Sequence, residues 1–600
     1  MSVKKGVMRL LIVLLLVQCG AAVPCTAAGV YRTVEVASLK IIVDSEWGIK
    51  TSPGYFPVRV DITNLGDARV IEIIGEGMRF FRTYALAGTY SPAGPPEGIH
   101  VRQAVRLSRG DRVRFTIPVP VSADNENIRF AIQENGETLE QLGYTGFQSR
   151  SPAAEASALI VAGRSAFGKV ASSWPRSASG TMLIAGGRPG PAPLLDFVLE
   201  PERLPTNWLG YTSLRAVILG PTEWRLLDEA QKSAILTWTA CGGDLFFVDG
   251  EMRALFPGRQ DATGSTPDPE VRAYFFGRIH RPTSASVQAS GLAAVLSAAE
   301  KVQDDNWALP AIRARDWGLI AARGFRLPIP GVNGVPARAY LSILIVFSVL
   351  IGPVNYWLLW RRRRQVLFVL TTPLVSAVFI VLLAGYVLAA EGLAVHGRAT
   401  TFTMIDQVRK QAVTRASMSL YAAGMTPGNG LQFPRDVAVY AIGTDGYGSR
   451  DAQALDLTET QRFTSGLIRA RTPANLEQIA FRPARERLTF ETGASGMTVV
   501  NGLGATVTTL VYRVGAQVYT LTDPMPPGGR GALRAGALPP LTVVPSGLPL
   551  SSRFQQLLLN QPDGSYLAIL DRSPFLEPGV SGVIEQASFH VVLGWPEGQP

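Results

Sequence analysis

The chain has 600 residues, with 57 Lys and Arg against 47 Asp and Glu, and three Cys. That length exceeds one domain, and 47% hydrophobic residues give each large segment a core to bury, which excludes a disordered chain. The net charge of +10 is partly in the N-terminus and one arginine block, which argues against a nucleic-acid partner.

Lys4, Lys5 and Arg9 precede the apolar stretch Leu10 to Val17, and small residues follow up to Gly29. This order predicts a signal peptide over residues 1–28, cleaved after Ala28, with Ala21 as the second choice. Two other readings use the same residues. An uncleaved anchor would need ~20 apolar residues. A lipoprotein would be acylated at Cys19, where Gln18 stands in place of a small residue. Cleavage after Ala28 leaves only Cys241, so no internal disulfide forms.

Residues 29–150 read as a β-sandwich. Strands are expected over 34–41, 56–62, 70–74, 112–119 and 127–133. Asn64-Leu65-Gly66-Asp67 supplies turn chemistry. The segment 157–323 reads as an α/β domain with flavodoxin-like layering. Its apolar runs 158–162, 181–185 and 214–219 resemble strands covered on both faces. One helix is expected from Glu223 to Thr239, ended by Gly242-Gly243 before a strand from Asp244 to Asp249. Residues 324–336, rich in Pro and Gly, read as a linker.

A transmembrane hairpin is predicted over 338–390. Two apolar runs, 341–360 and 366–390, flank Arg361, Arg362, Arg363 and Arg364. Each is long enough to cross the ~30 Å hydrocarbon core, and the basic turn should stay in the cytoplasm. Asn355 lies six positions before the block, and Thr371 and Thr372 seven and eight positions after it. At ~1.5 Å per residue they share a depth, so an interhelical polar seam is expected. Pro353 and Pro373 also match in depth. Residues 391–600 read as a β-rich extracytoplasmic region. Its strands are expected over 399–405, 416–421, 437–442, 487–491, 497–500, 505–512, 518–521, 566–570 and 589–593, with a short helix over 553–559. The fold class is therefore a multidomain α+β membrane protein of the bacterial inner membrane, with both large regions outside the cytoplasm.

Tyr211 to Gly250 resembles part of the class I glutamine amidotransferase-like fold of exported bacterial proteins. The strand 214–219, the helix through Leu227 and Trp238, and Gly242-Gly243 carry that likeness. Gly352-Pro353-Val354-Asn355-Tyr356 before the basic block and Thr371-Thr372-Pro373 after it are similar to bacterial membrane proteins bearing such a domain. The resemblance implies architecture and no activity. A working amidotransferase needs a Cys at the turn after a strand. Here Asp249-Gly250-Glu251-Met252 stands there, and Cys241 lies before the strand. The domain is expected to be non-catalytic, with Cys241 buried at a helix end.

His100, His280, His396 and His590 are far apart and lack zinc spacing, so they are expected as scattered surface or strand residues. No metal or cofactor site is expected. The favoured reading is an anchored binding or scaffold protein. Its partners would be the lipid bilayer and an envelope or membrane protein, as an accessory of a transport or assembly complex. An extracytoplasmic hydrolase using carboxylates of the α/β domain, and a sensor, are the alternatives.

Overall fold

A computed structural model describes residues 31–45, 54–79, 99–121, 126–147, 156–161, 194–214, 216–256, 270–290, 295, 327–330, 337–363, 365–391, 394–423, 428, 430–442, 453–493, 496–536 and 559–596. The fold is mixed α/β, strand-rich and built of several sheets. Its contacts divide it into two compact units, one up to Ile320 and one from Ala321 to Gln599. The signal segment, the expected strand at 181–185, and most of the expected helix at 553–559 lie outside the described residues.

The first unit opens with two antiparallel sheets. One joins β1 (Tyr31–Val36), β2 (Leu39–Ser45), β3 (Gly54–Asn64) and β6 (Arg112–Val121). The other places β4 (Arg69–Arg79) between β5 (Ile99–Leu107) and β7 (Glu126–Glu134), with β8 (Glu137–Phe147) beside β7. Val58, Val60, Ile62, Ile71, Ile73 and Ile132 are fully buried or nearly so. The expected strand 34–41 is two strands. Ala37 and Ser38, at φ 47° and 62°, form a two-residue turn whose mirror-image geometry fits strand twist. Neither is the usual Gly or Asn, so the sequence hid the break. Asn64 does build the expected turn: its side chain accepts from Gly66 N and donates to the Asp67 and Ser108 carbonyls.

The α/β layer follows. Its strands are β9 (Ala156–Val161), β10 (Leu194–Leu199), β11 (Ala216–Leu219), β12 (Asp244–Phe247), β13 (Val271–Tyr274) and β14 (Gly277–His280), in spatial order β10-β9-β11-β12-β14-β13. All pair in parallel except the edge hairpin β13–β14. The order reverses direction between β9 and β11, the switch point of doubly wound sheets. The single helix expected from Glu223 is two, α1 (Pro221–Leu226) and α2 (Glu229–Ala240). Asp228 breaks the run. Its carboxylate accepts from Gln231 N, and the Gln231 amide reaches back to Asp228 N, a capping box that starts α2 afresh. α2 ends at Cys241, which is buried as expected, before Gly242 at φ 124°. Two short helices, α3 (Met252–Leu255) and α4 (Ser284–Ser290), follow β12 and β14. The two parts of this unit touch. Asp44 of β2 accepts from Arg59 and, across the boundary, from Arg203 at 2.6 Å, and Tyr55 N donates to Thr212 Oγ1 at 2.8 Å.

The second unit holds the apolar helices. α5 (Ala337–Val349) continues through a π-helical turn, Leu350–Val354, into α6 (Asn355–Arg361). Pro353 lies in that turn. It has no N–H to donate, and the wider turn accommodates it, with Asn355 N donating to the Leu350 carbonyl five residues back. After the basic turn comes α7 (Phe368–Glu391), which contains Pro373. Phe347 contacts Phe379, ring centres 4.6 Å apart, and Tyr356 meets Phe368 edge-on at 6.3 Å. Those pairings make the helices antiparallel neighbours.

The rest of this unit is β. The strands are β15 (Val395–Asp406), β16 (Gln411–Ala422), β17 (Leu431–Phe433), β18 (Val437–Ile442), β19 (Gln453–Asp456), β20 (Gln461–Ser465), β21 (Ala474–Pro483), β22 (Arg487–Gly493), β23 (Gly496–Gly502), β24 (Val507–Val514), β25 (Gln517–Leu521), β26 (Arg530–Ala535), β27 (Tyr566–Leu570), β28 (Ile584–Glu585) and β29 (Phe589–Trp595). Most join one sheet ordered β18-β21-β16-β15-β29-β27-β24-β25-β26-β23-β22, with β28 beside the start of β15. β20 pairs with β17 on one side and β19 on the other. β21 was not anticipated, although it lies between β16 and β18. Glu477 and Gln478 are buried at its centre, and they break the apolar signature of a covered strand. Of the expected linker, residues 327–330 are described: Leu327 and Ile329 are buried while Pro328 and Pro330 are exposed.

Candidate functional site

Among the described residues one helix is long and apolar enough to cross a membrane: Leu341–Arg361, 21 residues with a mean hydropathy of 1.9, most of its side chains exposed. α7 has a shorter apolar run, Phe368–Leu383, among the described residues. Leu344, Val346, Trp357, Val369 and Leu370 all expose their side chains, which water would penalise and lipid would not. Arg361, Arg362 and Arg363 are exposed at the C-terminal end of α6, where cations meet the negative pole of the helix. The Arg361 guanidinium also lies 5.6 Å from the Trp357 ring centre. Arg363 turns the chain at φ 53°. Arg364 lies outside the described residues.

Of the expected seam residues, Asn355 is buried and Thr371 and Thr372 are half-buried. Asn355 is 8% exposed, and its amide nitrogen has no hydrogen-bond partner among the described residues. The Thr371 and Thr372 hydroxyls donate to the Phe368 carbonyl of their own helix, at 3.4 and 2.8 Å. A buried unsatisfied amide costs about 1–3 kcal/mol. Asn355→Leu is therefore expected to leave the helix pair as stable as the parent or more so. Thermal unfolding in detergent measures this, and a loss above about 1 kcal/mol would show that the amide is satisfied in the native protein.

In the α/β layer, sites of such folds form at the C-terminal ends of the parallel strands. There, Asp249 follows β12 at φ 54° and accepts from Ser284 N at 2.9 Å and from the Ser284 hydroxyl. It caps α4. Arg281 donates to the Gly250 carbonyl at 2.7 Å, and Glu251 is exposed without a capping bond. Of the two carboxylates at this rim, Asp249 is thus engaged with Ser284 and Glu251 is exposed. At the opposite end of β12 sits a charged cluster that the sequence did not reveal. Asp244 accepts from Arg278 Nε at 3.0 Å and Nη2 at 3.3 Å, and lies 3.2 Å from His280 Nε2. His280 stacks on Phe246, ring centres 4.4 Å apart. Parallel pairing of β12 with β14 brings these residues together, and nothing in their spacing announces it.

A second histidine cluster occupies the large sheet. His590 is fully buried, with Nδ1 2.9 Å from Thr401 Oγ1 and Nε2 3.1 Å from Glu585 Oε2. His280 and His590 thus both lie in strands, buried and bonded. Hydroxyl, imidazole and carboxylate in line is the order of a nucleophile relay. Here Thr401 is 1% exposed, so no substrate reaches the hydroxyl, and the line serves to hold β28 and β29 onto β15. The hydrogen bond from His590 outweighs burial and keeps the Glu585 carboxyl below its ordinary value of 4.5. A carboxyl lowered in the folded state stabilises above its ordinary value, and that contribution is lost as the pH falls through the folded value. The protection of amides over 584–590, taken relative to the intrinsic exchange rate at each pH, is expected to fall on acidification below about 4.5, and Glu585→Gln should remove that step.

Of His, Cys, Asp and Glu among the described residues, no group of three has the arrangement of a metal site. No family model matches the chain, and no curated protein matches it. Among solved structures, a calcium-binding mutant of beta-glucuronidase 2 from Bacteroides uniformis is similar at 12% identity, over 37% of this chain and 23% of that chain. The TM-score is 0.13, so the likeness carries no argument about fold or activity.

Proposed function

We propose that the protein is an anchored binding or scaffold component of a bacterial inner membrane. It presents strand-rich domains outside the cytoplasm, as an accessory of an envelope transport or assembly complex. The observation that carries this reading is the lipid-like surface of Leu341–Arg361 and the antiparallel α7 beside it, joined by the basic turn. α7 has 24 residues, about 36 Å at helical rise, which supports a second crossing. Two helices are too few to line a transport path alone, so the work falls to the sheets. The strand order of the α/β layer supports the amidotransferase-like reading of residues 157–323, and the capping role of Asp249 supports binding over carboxylate hydrolysis.

The test is co-purification of the full chain from native membranes, paired with protease treatment of intact spheroplasts. Digestion of both flanking regions from outside, with one envelope protein recovered in constant ratio, is the expected result. Protection of both regions would overturn the placement, and recovery of the chain alone would overturn the accessory role.

A further inference from the structure

We propose that the rim of the large sheet nearest α7, centred on Ile584, rests on the headgroups of the bilayer that holds the helices. The partner of this surface is the phospholipid surface itself. The inference deepens the anchored reading and rests on it. Its first ground is covalent. α7 ends at Glu391 and β15 begins at Val395. Four peptide steps span at most about 14 Å. The headgroup layer on each side of the hydrocarbon core is about 5–8 Å thick. The first residues of β15 are therefore held in that layer or just above it. His396, the second residue of β15, pairs with Ile584, and Gly397 pairs with Glu585. Ile584 is 47% exposed, one of the few large aliphatic side chains that the described β strands and loops of this unit expose. Gly582, at φ 74°, gives the loop before it a tight turn.

The second ground is a clasp on the other end of the helix pair. Arg398 Nη1 donates to the Pro328 carbonyl at 2.7 Å, and its Nε donates to the Ala587 carbonyl at 3.0 Å. Pro328 lies nine residues before the start of α5 at Ala337, and the Leu327 and Ile329 beside it are buried. The chain entering the helices and the chain leaving them are thus pinned to the same end of β15. A sheet tethered once could swing away from the membrane. Tethered twice at one end, this sheet keeps the Ile584 rim toward the lipid. The turn between β15 and β16 lies at the other end, where Val408 is 68% exposed. Twelve strand residues at ~3.3 Å each put it about 40 Å from the rim.

The experiment places single fluorophores on the full chain, with its native cysteines replaced by Ala, in nanodiscs of phosphatidylcholine and phosphatidylglycerol. Ile584→Cys, Val408→Cys and Val378→Cys carry the labels. Nitroxide-headgroup lipids should quench the Ile584 label about twofold or more, at the depth of interfacial contacts, and leave the Val408 label unchanged. Brominated acyl chains should quench Val378, which is exposed on α7. If Val378 is quenched while Ile584 responds no more than Val408, the rim contact is overturned and the anchored reading stands. If Val378 is not quenched, the anchored reading falls, and the rim contact falls with it.

Discussion

Asp244→Ala is expected to destabilise the α/β layer by about 3–5 kcal/mol, the usual cost of leaving a buried charge without its partner. Asp244 is fully enclosed between Arg278 and His280, which are themselves buried. Burial alone would raise its carboxyl. The His280 hydrogen bond and charge, together with those of Arg278, outweigh burial and hold it below the ordinary 3.8. By linkage, the stabilisation is complete above that ordinary value and is lost as the pH falls through the lower folded value. Replacing the whole cluster, Asp244→Leu with Arg278→Met and His280→Phe, should recover most of the loss, because apolar groups leave no charge to desolvate. Denaturant unfolding followed by tryptophan emission, with Trp224 and Trp238 in this layer, measures the three proteins. A single-variant loss under about 1 kcal/mol, as for an exposed pair, would show that water reaches Arg278.

Replacing Arg361 to Arg364 together by Gln is expected to abolish the single orientation of the chain. Short basic loops are retained on the cytoplasmic side, and this block supplies the one dense basic cluster beside the apolar helices. Without it, both flanking regions should be found on both sides of the membrane. Protease accessibility of an epitope after Pro600 reads the mixture: nearly complete digestion from outside in the parent and partial protection in the variant. Full digestion of both would show that another feature sets the orientation. Packing at the turn contributes far less, since Arg361, Arg362 and Arg363 are exposed and the Arg361–Trp357 contact is a surface cation–π pair of about 0.5–1 kcal/mol.

Strand positions are legible where an apolar run is short and bounded by turn residues. Residues 437–442 and 566–570 match β18 and β27 residue for residue. The period failed where polar groups are buried, as at Glu477 and Gln478 of β21, and where a bulge shifts the register, as between β7 and β8. The helix from Glu223 was seen as one because apolar spacing continues across Leu226 and Leu227. Only the Asp228–Gln231 exchange shows the new start.

What the sequence by itself determined is the apolar helix of 341–361, the basic turn after it and the strand-rich character of both flanks. Those follow from composition and local period, which act over a few residues. Tertiary structure alone decided that Asp244 meets Arg278 and His280, that His590 bridges Thr401 and Glu585, and that Arg398 ties Pro328 to Ala587. Strand register sets those meetings, and register is fixed by the packing of whole faces over separations of up to 190 residues. No local pattern encodes a partner that far along the chain.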